Sequence, residues 1–144
     1  MKIEIFNLCD FASYDGSGKL NVIGVFDTIW AREAPFVYDL CTLAIRIRFE
    51  KLEQGVKKLK ISFVDADGKS IMPVMDPQIV AQVPPNMSSA CVHVVSMMSQ
   101  TRFPSFGDYS VHLAVEGRQE SSTPLWVRQN LITPPHFQRA APSA

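Results

Sequence analysis

A surplus of charge of either sign is the first thing missing from this chain. Fourteen Lys and Arg stand against fourteen Asp and Glu in 144 residues. A whole-chain pull on nucleic acid or on an anionic membrane surface is therefore not expected. Cysteine is scarce and odd in number: Cys9, Cys41 and Cys91 lie far apart, a spacing that fits neither a disulfide framework nor a C-x-x-C metal or redox pair. Reduced thiols and a cytoplasmic location are the expectation. Long apolar runs are also absent. No stretch approaches the roughly 20 residues that span a bilayer, so no membrane partner is expected. The opening MKIEIFNLCDFAS has neither the apolar core nor the small-residue cleavage site of an export signal. No segment carries a sustained 3.6-residue apolar stripe with caps, which argues against a helical fold.

What is present is alternation. In TLAIRIRFE, Leu43, Ile45, Ile47 and Phe49 share one face while Thr42, Ala44, Arg46, Arg48 and Glu50 share the other, the signature of a half-buried strand. KKLKISFV, GDYSVHLAVEG and ACVHVVSMM repeat it, and LNVIGVFDTIW is apolar on both faces in part. Breakers stand at short intervals between these runs, among them Asp15-Gly16-Ser17-Gly18, Asp67-Gly68, Pro84-Pro85 and Gly117. With 47% hydrophobic residues, enough for a sizeable core, one-sided strands must cover one another. The expectation is one all-β antiparallel β-sandwich, immunoglobulin-like or similar, of about eight or nine strands over residues 1–132, with 133–144 a Pro-rich flexible tail.

One acidic stretch invites a metal reading. FVDADGKSI holds Asp65 and Asp67 before Gly68, but counting from Asp65 puts Gly68 at position 4 and Lys69 at position 5 of a calcium loop that wants an oxygen ligand at 5 and glycine at 6. Asp-Gly between two strands reads as a tight hairpin turn. A calcium- or small-ligand-binding sandwich pooling Asp15, Asp65, Asp67 and Asp108 from loops at one end stays open as the alternative; no cofactor is otherwise called for. Gly16-Ser17-Gly18-Lys19 lacks the following helix that a phosphate loop needs. Asn86-Met87-Ser88 matches a glycosylation triplet, but without an export signal the match carries no meaning.

Catalytic groupings are thin. Cys91 and His93, two residues apart on a strand, share a face, yet an active thiol needs its pKa lowered by a positive partner, and no nucleophile motif surrounds them. The segment 46–60 holds Arg46, Arg48, Lys51, Lys57, Lys58 and Lys60 against Glu50 and Glu53. On adjacent strands, Arg46, Arg48, Lys58 and Lys60 would make one solvated sheet face, with no aromatic platform for single-stranded nucleic acid. Neither an enzyme nor a nucleic-acid partner is expected. Apolar residues in polar places, Trp30, Met97, Met98 and Trp126, are candidates for a face that contacts a protein partner or a second copy.

LCDFAS, GKLNVIGVFDTIWA, RFEKLEQG, FVDADGKSI, FGDYSVHLAVEG and PLWV, in that order, resemble a family of small bacterial proteins of unknown function. The resemblance implies a β-sandwich and brings no activity, ligand or catalytic residue with it. The expected role is that of a non-enzymatic interaction or structural module.

Overall fold

The structure, a computed structural model, describes residues 1–131; the stretch 133–144, read as a flexible tail, lies outside them. In chain order the strands are β1 (Lys2–Tyr14), β2 (Leu20–Val25), β3 (Thr28–Ala31), β4 (Phe36–Glu50), β5 (Gly55–Val64), β6 (Gln78–Ala81), β7 (Ser89–Phe103), β8 (Gly107–Val115) and β9 (Arg118–Gln129). Isolated bridges from Ile61 to Met75 and from Val64 to Ser70 lie outside these strands. Among the described residues the one helical turn is a 3-10 turn, Lys51–Glu53.

The strands form two sheets, ordered β2-β1-β4-β7 and β3-β9-β8-β5-β6. The first is antiparallel throughout. The second is mixed, because β3 runs parallel to β9, which corrects the expectation of purely antiparallel sheets. After β2 the chain passes from the first sheet to the second at Phe26–Asp27, and β3 enters beside β9 in the same direction. The amide of Phe26 still donates to Leu8 of β1, while Asp27 already accepts from Trp126 of β9.

One apolar cluster draws on both sheets. From β4 come Leu43, Ile45, Ile47 and Phe49; from β5, Leu59, Ile61 and Phe63; from β8, Val111 and Leu113; from β9, Leu125 and Val127, all buried. Period two puts these residues on one side of their strands, and each fully buried side chain contributes about 1.5–3 kcal/mol of transfer free energy. Phe103 of β7 joins the sheets: its ring stacks on Phe36 at 5.3 Å and meets Tyr109 edge-on at 5.2 Å and Phe63 at 5.8 Å.

β1 does two jobs. Lys2 to Cys9 pairs with β4, and Cys9 to Tyr14 pairs with β2. His93 lies opposite Arg46, which lies opposite Ile5. In a straight strand, Tyr14 would be about 30 Å from Ile5 at roughly 3.3 Å per residue, yet its ring centroid is 6.2 Å from that of His93. The β1–β2 hairpin therefore folds back over the outer face of the first sheet. Cys9, Ala12 and Ala44 form a second buried cluster beneath it, with Ile5, Val22 and Val95 packed around. The small side chain of Ala44 makes room for this arm, and the Cys9 thiol donates to the Thr42 carbonyl at 3.5 Å.

Candidate functional site

The folded-back arm borders a polar cluster on the outer face of the first sheet. Ile3 and Phe6 of β1 both pack toward the main core, so a bulge between Ile3 and Ile5 turns two consecutive residues, Glu4 and Ile5, outward. Glu4 lands between two arginines of β4. Arg46 Nε donates to its Oε1 and Arg48 Nε to its Oε2, each at 2.7 Å. Arg46 Nη1 lies 2.6 Å from His93 Nε2, and Arg48 Nη1 donates to Ser89 Oγ at 3.0 Å. The Cys91 thiol donates to Glu4 Oε1 at 3.4 Å, and Tyr14 closes the cluster over His93.

The electrostatics follow from this geometry. Hydrogen bonds from Arg48 and then Arg46 pull the Glu4 carboxyl down to about 2 from its ordinary 4.5. Partial burial, reinforced by the Arg46 charge, lowers His93, and since a guanidinium can only donate, His93 Nε2 is the acceptor in this contact. Burial and the bond to Glu4 raise the Cys91 thiol. Cys91 and His93 do share a face, but each takes a different partner, and the thiol is held protonated rather than activated. The cluster fastens β1 to β4 and β7.

A pH effect is expected from Glu4. Its pKa is depressed on folding, so the stabilisation is present above pH 4.5 and is lost as pH falls through about 2. Thermal melts of the wild type and Glu4→Gln should differ at neutral pH and converge as pH falls from 4.5 to 2; parallel profiles across that window would contradict the pairing.

The basic segment read from the sequence does not form one face. The 3-10 turn at Lys51–Glu53 carries the chain from one sheet to the other, so Arg46 and Arg48 lie in the first sheet and Lys58 and Lys60 in the second. The aspartates stay apart as well. Asp15 caps its own hairpin turn, accepting from the Ser17 amide at 2.8 Å and from the Ser17 hydroxyl. Asp65 Oδ1 accepts from the amides of Asp67 and Lys69, each at 2.9 Å. Asp108 pairs with Arg128 at 2.7 Å. Among the described residues no three His, Cys, Asp or Glu side chains are grouped to hold a metal. FVDADGKSI is a turn, wider than the tight one expected: Gly68 takes φ +81 while Asp67 keeps a negative φ, the pattern of a three-residue loop ending in a glycine bulge.

The four apolar candidates divide. Ile29 of β3 and Leu125 and Val127 of β9 point inward, which leaves Trp30 and Trp126 on the outer face of the second sheet, 47% and 36% exposed. Trp126 is opposite Thr28 and Trp30 is opposite Arg128, so the indoles sit diagonally, flanking the Arg128–Asp108 ion pair. Met97, 66% exposed, lies on the outer face of the other sheet, and Met98, 2% exposed, is in the core. Adjacent strand residues cannot both face out, and Met98 is in phase with the inward Val92 and Val94. A cleft of about 310 Å³, with Phe49, Glu53, Val115 and Arg118 among its lining residues, lies at neither surface.

The profile of a family of unknown function, DUF6941, matches residues 4–128. The chain belongs to this family. The matched residues span the strands that build both the polar cluster and the tryptophan face. No curated protein matches the chain. Among solved structures it is similar to the Pseudomonas fluorescens alkylpurine DNA glycosylase AlkC bound to DNA containing an abasic site analog, at 17% identity and a TM-score of 0.47. The likeness covers 71% of this chain and 28% of that one. The exclusions of an enzyme and of a nucleic-acid partner are corrected by this finding, since the structural neighbour is an enzyme bound to DNA. Zero net charge speaks only to long-range attraction and never to a local site. A likeness this distant transfers neither activity nor ligand to the present chain. Among the described residues no helix is long and apolar enough to cross a membrane.

Proposed function

We propose that residues 1–132 form one β-sandwich domain of immunoglobulin-like character that acts as an interaction module, binding a polypeptide partner through its outer sheet surfaces. The observation that carries this reading is the pair Trp30 and Trp126, exposed diagonally across β3 and β9 beside an Arg128–Asp108 ion pair. Aromatic side chains and arginine are the residues enriched where proteins meet, and desolvated tryptophan dominates such contacts. The common apolar cluster between the sheets supports the sandwich. Free thiols at Cys9, Cys41 and Cys91 suit a reducing, cytoplasmic setting.

Trp126→Glu and Trp30→Glu test the reading. Neither indole is part of the core, so both variants should keep the wild-type melting temperature to within a few degrees. Each should lose, by tenfold or more, the polypeptides that wild-type protein retains from cell extract; such a loss corresponds to about 1.4 kcal/mol or more of binding free energy. Equal retention by all three proteins would contradict it. The calcium alternative predicts a rise in melting temperature with millimolar calcium, and the separated aspartates give no support for one.

A further inference from the structure

We propose that β7 is a pairing edge, and that its occupant is a second copy of this chain whose own β7 runs antiparallel to it. The inference rests on the reading of the chain as a polypeptide-binding module and names one partner and the place where it binds. β7 is 15 residues long and bonds to β4 on one side only. Among the described residues no strand or loop backbone group pairs with its far side. The other sheet edges are short: β2 has 6 residues, and β3 and β6 have 4 each.

Side-chain burial shows the same opening. Ala90, Val92, Val94 and Ser96 are in phase with the inward residues, yet all are only half-buried, while Leu43, Ile45 and Ile47 across the ladder on β4 are 0% exposed. The second sheet reaches this edge from beneath, with Met75 Sδ 3.2 Å from Ser96 Oγ, and leaves the strand's flank uncovered.

Natural edges are protected by lysine, proline, bulges or shortness. From Ser89 to Thr101 there is no Asp, Glu, Lys, Arg or Pro. The first irregularity is Gln100, at φ +54, which leaves Ser89 to Ser99 regular. A symmetric antiparallel pair of such strands brings no like charges together, and zero net charge on the chain removes long-range repulsion between copies. A charged partner strand would find no complementary charge along this stretch. Backbone groups left unpaired by the fold would be satisfied by the added strand, as in other strand-addition contacts.

The test is solution mass by sedimentation equilibrium over a concentration series, for wild type, Met97→Lys, Ser99→Lys and Trp126→Glu, with hydrogen exchange followed on the peptide covering Ser89 to Ser99. Met97 and Ser99 are exposed, so lysine there leaves the fold intact, as unchanged circular dichroism would verify. Expected are twice the single-chain mass for wild type and Trp126→Glu, slower exchange along β7 as concentration rises, and single-chain mass for both lysine variants at the same concentration. A wild type that remains monomeric throughout overturns the edge pairing without touching the tryptophan reading. A dimer that survives both lysines but dissociates with Trp126→Glu overturns the edge and moves the second copy to the tryptophan face.

Discussion

Replacing Phe103 by alanine should lower the unfolding free energy by about 3–5 kcal/mol, the range for truncating a buried aromatic. Phe103 is 0% exposed and belongs to the first sheet, while Phe63 and Tyr109, which its ring meets edge-on, belong to the second. Truncation leaves a cavity where the sheets touch, and three aromatic contacts, each worth about 0.5–1.5 kcal/mol beyond burial, go with it. The relaxation that softens such losses elsewhere is restricted here, because all three partner rings are held by strands of fixed register. Urea unfolding followed by circular dichroism measures the change. Phe103→Leu, which keeps most of the volume, should cost less than half as much, and equal losses for the two variants would show that packing between the sheets is not what Phe103 supplies.

Enlarging Ala44 should be the most damaging change on the outer face. Ala44 is 0% exposed beneath the β1–β2 arm, against Cys9 and Ala12. Ala44→Leu inserts three carbon atoms where the strands leave no room, a change that costs about 1–3 kcal/mol by overpacking. The strain has a cheap release, since the arm can lift while the main core stays closed. Two thiols separate that outcome from global unfolding. Cys9 lies under the arm and Cys41 lies in the main core, 0% and 1% exposed. Burial raises the pKa of both, that of Cys41 to about 11. In the variant, Cys9 should be alkylated much faster than in wild type while Cys41 remains protected. Simultaneous labelling of both would mean that the sheets had come apart, and no change at Cys9 would mean that the arm does not rest on Ala44.

Much of this architecture is legible in the sequence and some of it is not, for reasons that can be located. The strict alternation from Leu43 to Phe49 identifies β4 and its buried face, because a central strand covered by a second layer leaves no choice of phase. The bulge at Glu4 is written as a spacing of three between Ile3 and Phe6 followed by two to Leu8, a break in phase that places Glu4 beside Arg46 and Arg48 once the partner strand is known. Pairing itself is not local information. Nothing in RIRFEKLEQGVKKLK states that the turn at Lys51–Glu53 changes sheets rather than closing a hairpin, and so alternation alone puts Lys58 and Lys60 with the arginines. The fold-back of the β1–β2 arm depends on small residues, Ala12 and Ala44, that carry no periodic signal. Met98, by contrast, is readable: Val92 and Val94 fix its phase inward, and only the doublet with Met97 obscures it.

The two tryptophans of the chain, Trp30 and Trp126, both lie on the proposed contact face, so intrinsic fluorescence reports on that face alone. Acrylamide quenching of the protein alone and of the same protein bound to a retained polypeptide tests the interaction reading most directly. Accessible indoles in the unbound protein, with a blue-shifted emission and at least halved quenching in the complex, are the predicted result. Identical emission and quenching in the two states would place the contact elsewhere and contradict it.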